Sequence, residues 1–227
     1  NGQGASASAT EICVFCHTPH GSDTAAPAPL WNRDLNSGSY TRYSALGTST
    51  LDGAEAPIGS VTLACLSCHD GTQAMDSIIN APGSGGYNAD GSDINAGLTT
   101  MTSASSNPIP MLGTDLRNDH PVSIQYGGGG CSGTADCASS VFNDQDFNSA
   151  SYSSINGNNS WWVDTEASPD GTRQKTDMIL YTRTLDTQEQ PFVECVSCHD
   201  PHNITGGTND VQFLRISNAA SAVCLAC

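Results

Sequence analysis

The chain has 227 residues and a formal net charge of −16, with only seven basic residues. Lys175 is the single lysine. With no basic patch, nucleic acid is excluded as a partner, and so is docking on anionic lipid. No apolar run approaches bilayer-spanning length, so no membrane insertion is expected. Leu, Ile, Val and Phe make up about 17% of the chain, below the roughly 20% at which high net charge leads to disorder. An ordinary aliphatic core is therefore not expected, and the missing apolar mass must come from another source.

From the amino end, the first element is CVFCH: Cys13, Cys16 and His17. Cys65, Cys68 and His69 repeat it in CLSCH, and the two motifs place a first segment at residues 1–70. A long stretch from about 71 to 190 follows, rich in Gly, Ser, Asn, Asp and Thr, as in GSGGYNADGSD and YSSINGNNS, which reads as turns and loops. Within it, Trp161–Val163 and MILYTR (178–183) read as short strands. The segment 191–227 carries a third motif, Cys195, Cys198 and His199, whose surroundings FVECVSCH fit a helical turn or two. VQFLRI (211–216) reads as a strand. Ser217-Asn218 then offers an N-cap for a helix over 219–227 carrying the fourth pair, Cys224 and Cys227. The residue after Cys227 lies beyond the sequence.

C-x-x-C-H is the attachment motif of c-type haem. The two thiols form thioethers with the macrocycle, and the histidine ligates the iron on one face. Zinc and a redox dithiol are the competing uses of C-x-x-C, and neither needs a histidine directly after the second cysteine. With six histidines in 227 residues, that neighbour is about a 3% event, and three by chance are on the order of one in 50,000. The chain is thus expected to bind four haem c groups through Cys13, Cys16, Cys65, Cys68, Cys195, Cys198, Cys224 and Cys227. His17, His69 and His199 are the expected proximal ligands. The expected fold is mostly irregular coil with short helices at the haem motifs and a few short strands. It forms a single multihaem domain over 1–227, organised around stacked haems.

The remaining histidines, His20, His120 and His202, are expected as distal iron ligands. His20 lies three residues from His17, within about 10 Å of backbone, too short a path to wrap round the ring. It must therefore serve a different haem, and the same holds for His202. Four bis-histidine irons need more ligands than six histidines supply, so further ligands are expected beyond Cys227 or one iron is ligated otherwise. The four methionines stand in no motif that singles out a ligand. Cys131 and Cys137, in the polar loop GGGGCSGTADC, are left over and are expected to form a disulfide, which implies an oxidising compartment. With haem attachment outside the cytoplasm, this predicts an exported, soluble chain, extracellular or at the cell surface, whose signal peptide has been removed. Two sequons, at Asn158 and Asn203, read as unmodified loops. The run Asn143–Asn148 lacks the Gly and distal Glu of an EF-hand and reads as solvated loop.

CVFCHTPHG followed by APLWNR, NDHPVSIQY around His120, CVSCHDPHN, and FLRISNAASAVCLAC together resemble the paired-CXXCH multihaem cytochromes. More narrowly, the chain resembles the four-haem extracellular cytochrome nanowire subunits of metal-reducing bacteria. The resemblance covers the haem segments at both ends and the His120 segment, but not residues 127–175. It implies a continuous haem stack along a helical homopolymer that passes electrons to other cytochromes or extracellular acceptors. It also implies that His20 ligates a haem of the neighbouring subunit, a head-to-tail contact that propagates as a filament. No enzymatic activity is expected. Two other readings compete: a monomeric periplasmic tetrahaem shuttle, and a multihaem reductase with one open iron.

Overall fold

In the computed structural model, residues 11–35, 38–75, 77–81, 86–87, 100–101, 111–203 and 213–227 are described. The chain divides into two units, Asn1–Ala45 with Gly59–His120, and Leu46–Ile58 with Pro121–Cys227.

Among the described residues of the first unit the one α-helix is α1, Ser60–His69. Val61, Thr62, Ala64, Leu66 and Ser67 are buried, at positions spread round the helix, so it is packed on more than one side. The described remainder is irregular chain held by short 3-10 turns and isolated bridges, such as His17 with Trp31 and Thr41 with Asp115. Its apolar cluster is small: Ala26, Trp31 and Ala64.

The second unit contains five strands: β1 (Ile124–Gln125), β2 (Ser151–Ile155), β3 (Asn158–Val163), β4 (Met178–Leu185) and β5 (Gln188–Val193). They form one antiparallel sheet in the order β1-β5-β4-β3-β2. Asn156 and Gly157 connect β2 to β3 at φ 52° and 79°. Two consecutive positive φ values define the type I′ turn, whose twist matches that of the strands it joins. Asp186 and Thr187, at φ 49° and 68°, make the equivalent turn between β4 and β5. Pro191 pairs with Thr182 of β4 on one side. On the other side β1 reaches only Phe192 and Val193, so the missing N–H costs no ladder bond.

The last three residues of β3, the first three of β4 and the last three of β5 are all buried. Unbroken burial in place of alternation means that both faces are covered at that end of the sheet. One face packs Trp161, Val163, Met178 and Leu180 with Tyr126, Phe142 and the Cys131–Cys137 pair. Tyr126 meets Phe142 and Phe147 edge-on, each at 5.1 Å between ring centroids. Gly127, at φ 58°, lets the chain pass this cluster, since a Cβ there would lie 2.6 Å from Phe142 Cγ. The helices α2 (Cys195–Cys198) and α3 (Ala222–Leu225) complete the unit.

A five-stranded antiparallel sheet with three short helices overturns the expected mostly irregular coil with helices at the haem motifs, organised around stacked haems. Two physical causes account for the difference. The core draws on Trp161, Trp162, Tyr126 and Met178, all at most 1% exposed, and none of these residue types belongs to the aliphatic tally that argued against a core. The run YSSINGNNS, read as loop, is a hairpin whose Asn-Gly pair supplies the turn. Two local readings also change. Residues 213–216 form only a bridge, Leu214 with His199, while 211–212 lie outside the described residues. The helix over 219–227 is a 3-10 turn, Ala219–Ser221, followed by Ala222–Leu225. Ala220 and Ser221 lie at φ 53° and 63°, which breaks the helix between them.

Candidate functional site

Residues at i and i+3 of a helical turn lie on one side of it, so C-x-x-C on such a turn presents both thiols together. In α1 the residues Cys65, Cys68 and His69 are half-buried beside the buried positions named above. In the first motif the N–H groups of Cys16 and His17 donate to the Cys13 carbonyl, at 3.1 and 2.8 Å. In the third, the His199 N–H donates to the Cys195 carbonyl at 3.1 Å. Cys224 lies in α3, and the Cys227 carbonyl accepts from the Tyr126 hydroxyl at 2.9 Å and from the Asn148 N–H.

The first two motifs are tied together by the segment 29–33, whose role sequence reasoning missed. Pro29 carbonyl oxygen lies 2.7 Å from His17 Nδ1. A carbonyl only accepts, so Nδ1 carries the proton and Nε2 keeps its lone pair for a metal. Asn32 Nδ2 donates to the carbonyls of Val14 and Asn80, at 2.6 and 2.9 Å. Arg33, fully buried, donates to the carbonyls of Ser67 in α1, Ala74 and Met75. Burial, then the neighbouring Cys68 thiol, pushes the Cys16 thiol up to about 11, against a smaller lowering by Arg33.

The third and fourth motifs rest on the sheet. Cys198, Val223, Ala226 and Cys227 pack against its core cluster. Glu194, buried, caps α2 reciprocally with Ser197. Its carboxylate accepts from Arg183 at 2.7 Å and from the Ser123 hydroxyl at 2.9 Å. Arg215 donates to the carbonyls of Cys198 and Val196. Burial raises the Cys198 thiol, and burial followed by Cys198 and Cys224 pushes Cys227 to about 12. Beside α3 lies an open cavity of about 820 Å³, walled in part by Val163, Ile216, Ala222, Leu225 and Ala226.

The three further histidines are placed at the surface: His20, His120 and His202 are exposed. His202 lies against Asp200, Nδ1 to Oδ1 at 3.5 Å. Cys131 and Cys137 are joined as a disulfide, with Cα atoms 5.8 Å apart, while none of the eight motif cysteines is in a disulfide. The Asn203 side chain is buried and donates to the Leu214 carbonyl at 2.7 Å, so that sequon asparagine is already engaged. Among the described residues no helix is long and apolar enough to cross a membrane.

The cysteine pairs, each of the first three followed by a histidine, are the residue types that covalent haem attachment needs. Zinc needs three or four ligand atoms converging on one point, and among the described residues no such group includes a cysteine or histidine. A reactive dithiol needs a lowered thiol pKa, whereas Cys16, Cys198 and Cys227 are raised. Large apolar side chains stand exposed beside the motifs: Ile12, Leu30, Phe213 and Leu225. Trp31 Nε1 and Arg33 Nε are buried without a hydrogen-bond acceptor. Trp31 lies edge-on to His17, and Arg33 is close enough to lower the Cys16 thiol. A flat, apolar group would cover the exposed apolar side chains. Comparison with protein-family models and with curated proteins finds no match.

Proposed function

We propose that this chain is an electron-transfer protein carrying four covalent c-type haems, and that it polymerises as the repeating subunit of an extracellular conductive filament. The observation that carries the first part is the repeated turn geometry. Each C-x-x-C lies on or beside one helical turn, free of disulfides and of any convergent metal cluster. Bound at these turns, haem iron would supply one-electron redox chemistry.

The chain's own residues do the positioning. The cysteine pairs fix each macrocycle at two points, and His17, with Nδ1 occupied by Pro29, offers Nε2 to iron. The segment 29–33 couples the first two motifs, while the sheet and α3 couple the last two. His20 is exposed three residues from His17 and is the residue we assign to the next subunit's haem. The acidic surface suits exchange with other cytochromes or extracellular acceptors, not nucleic acid.

Intact-mass measurement of the exported protein should give the chain plus four haems; three or fewer would remove Cys224/Cys227 from the scheme. His20→Ala should retain all four, convert one low-spin iron to high-spin character, and shorten or abolish filaments in negative-stain micrographs. Normal filaments with every iron low-spin would end the assignment of His20.

A further inference from the structure

Three carboxylates converge at the far end of the β3–β4 hairpin. β3 and β4 pair Val163 with Met178 as their last rungs. Asp164 and Asp177 are the next residues in that antiparallel register and so project to the same side. Glu166 joins them, and one carboxylate oxygen from each of the three lies within 4.8 Å of the others. Asp177 is fully buried. Both Glu166 carboxylate oxygens are also buried, and neither accepts a hydrogen bond. Among the described residues no lysine or arginine ion-pairs with any of the three. An ionised, desolvated carboxylate beside two others is strongly unfavourable unless a cation compensates it.

The other two carboxylates are held from outside. Trp162 Nε1 and the Ser151 hydroxyl donate to Asp164 Oδ1 and Oδ2, at 3.0 and 2.6 Å. The N–H groups of Thr165 and Gln174 donate to Asp177 Oδ1 and Oδ2. The Thr165 hydroxyl also donates to Asp177 Oδ1, at 3.5 Å. Asp164 Oδ1, Asp164 Oδ2 and Asp177 Oδ2 each keep a second lone pair, and such outer bonds are what orient metal-ligating carboxylates.

We propose that Asp164, Glu166 and Asp177 form a calcium site that clamps the β3–β4 hairpin. An all-oxygen, all-anionic donor set is the choice of a hard divalent cation, and Glu166, with both oxygens unengaged, is the one ligand free to bind it bidentately. The site uses none of the haem-attachment residues, so its test is independent of the haem reading.

The exported protein is stripped with EGTA and its thermal unfolding followed by circular dichroism, with and without CaCl2. Wild type should bind about one calcium per chain by elemental analysis and gain ~5 °C in Tm at saturating calcium. Glu166→Gln should lose the calcium and the calcium-dependent gain. In EGTA it should melt no lower than wild type, because it removes repulsion; this also shows that the variant folds. No calcium bound by wild type, or equal binding and equal gain in Glu166→Gln, would overturn the site.

Discussion

The two pairs of motifs are held in place by different physics. Motifs three and four rest on a sheet end buried on both faces, where Trp161, Trp162, Met178 and Phe192 are at most 1% exposed. Motifs one and two have a small apolar cluster and are joined instead by Asn32 and Arg33 donating to backbone carbonyls. Burial of large apolar side chains contributes about 1.5–3 kcal/mol each, whereas a net intramolecular hydrogen bond adds only about 1 kcal/mol. The second unit therefore has the means to fold from its own side chains, and the first, under the proposed haem attachment, would depend on the groups held by its cysteines. The comparison breaks most visibly in protein made without haem attachment. Hydrogen exchange should then show protected amides across 158–163 and 178–185, and near-complete exchange across 11–35 and 60–75. Equal protection in both would mean that the first unit has a sufficient core.

Single substitutions sharpen the same contrast. Arg183 neutralises Glu194, whose side chain is fully buried. Removing one partner of such a pair leaves an uncompensated charge, so Arg183→Met should cost about 3–5 kcal/mol, read as a loss of protection at α2 and β5. Arg33 has no carboxylate partner among the described residues and satisfies three carbonyls. Arg33→Met should cost about 3 kcal/mol through those unpaired acceptors, confined by hydrogen exchange to α1 and residues 74–75. An Arg33 effect spreading into the sheet, or an Arg183 effect smaller than that of Arg33, would overturn the distinction between a charge-paired anchor and a carbonyl-bound one.

The motif positions were legible as a repeated C-x-x-C-H spacing, and the cores of β3 and β4 were legible as β-branched and aromatic runs. β2 and β5 were not, since their residues are mostly polar and become strands only by pairing with β3 and β4. The roles of Pro29, Asn32 and Arg33 were present in the sequence only as APLWNR, with nothing to say that backbone and side-chain groups of these three residues reach across to motif one and α1. The carboxylate group was hidden for a related reason. Asp164 and Asp177 meet only because Val163 pairs with Met178, and register is invisible until both strands are assigned. The Asp/Asn-rich run Asn143–Asn148, which reads as solvated loop from its sequence, has Asn143 Nδ2 donating to the Gly128 carbonyl.

The smallest effect expected is at Gly157, and it tests whether the hairpin is built by its turn or by its core. Gly157 sits at φ 79° with open space where a Cβ would go. Gly157→Ala therefore introduces no clash and reports backbone strain alone, about 1–2 kcal/mol for an L-residue in the left-handed region. Ile155 pairs with Asn158 across this turn, far along both strands from Trp161 and Trp162, which are buried at the other end. If the core fixes the register, the variant should lose about 1 kcal/mol in denaturant unfolding and exchange faster only at 155–158. Loss of protection reaching Trp161 would mean that the Asn-Gly turn sets the pairing. In that case the sheet, like the motifs it supports, would be specified by a local sequence signal.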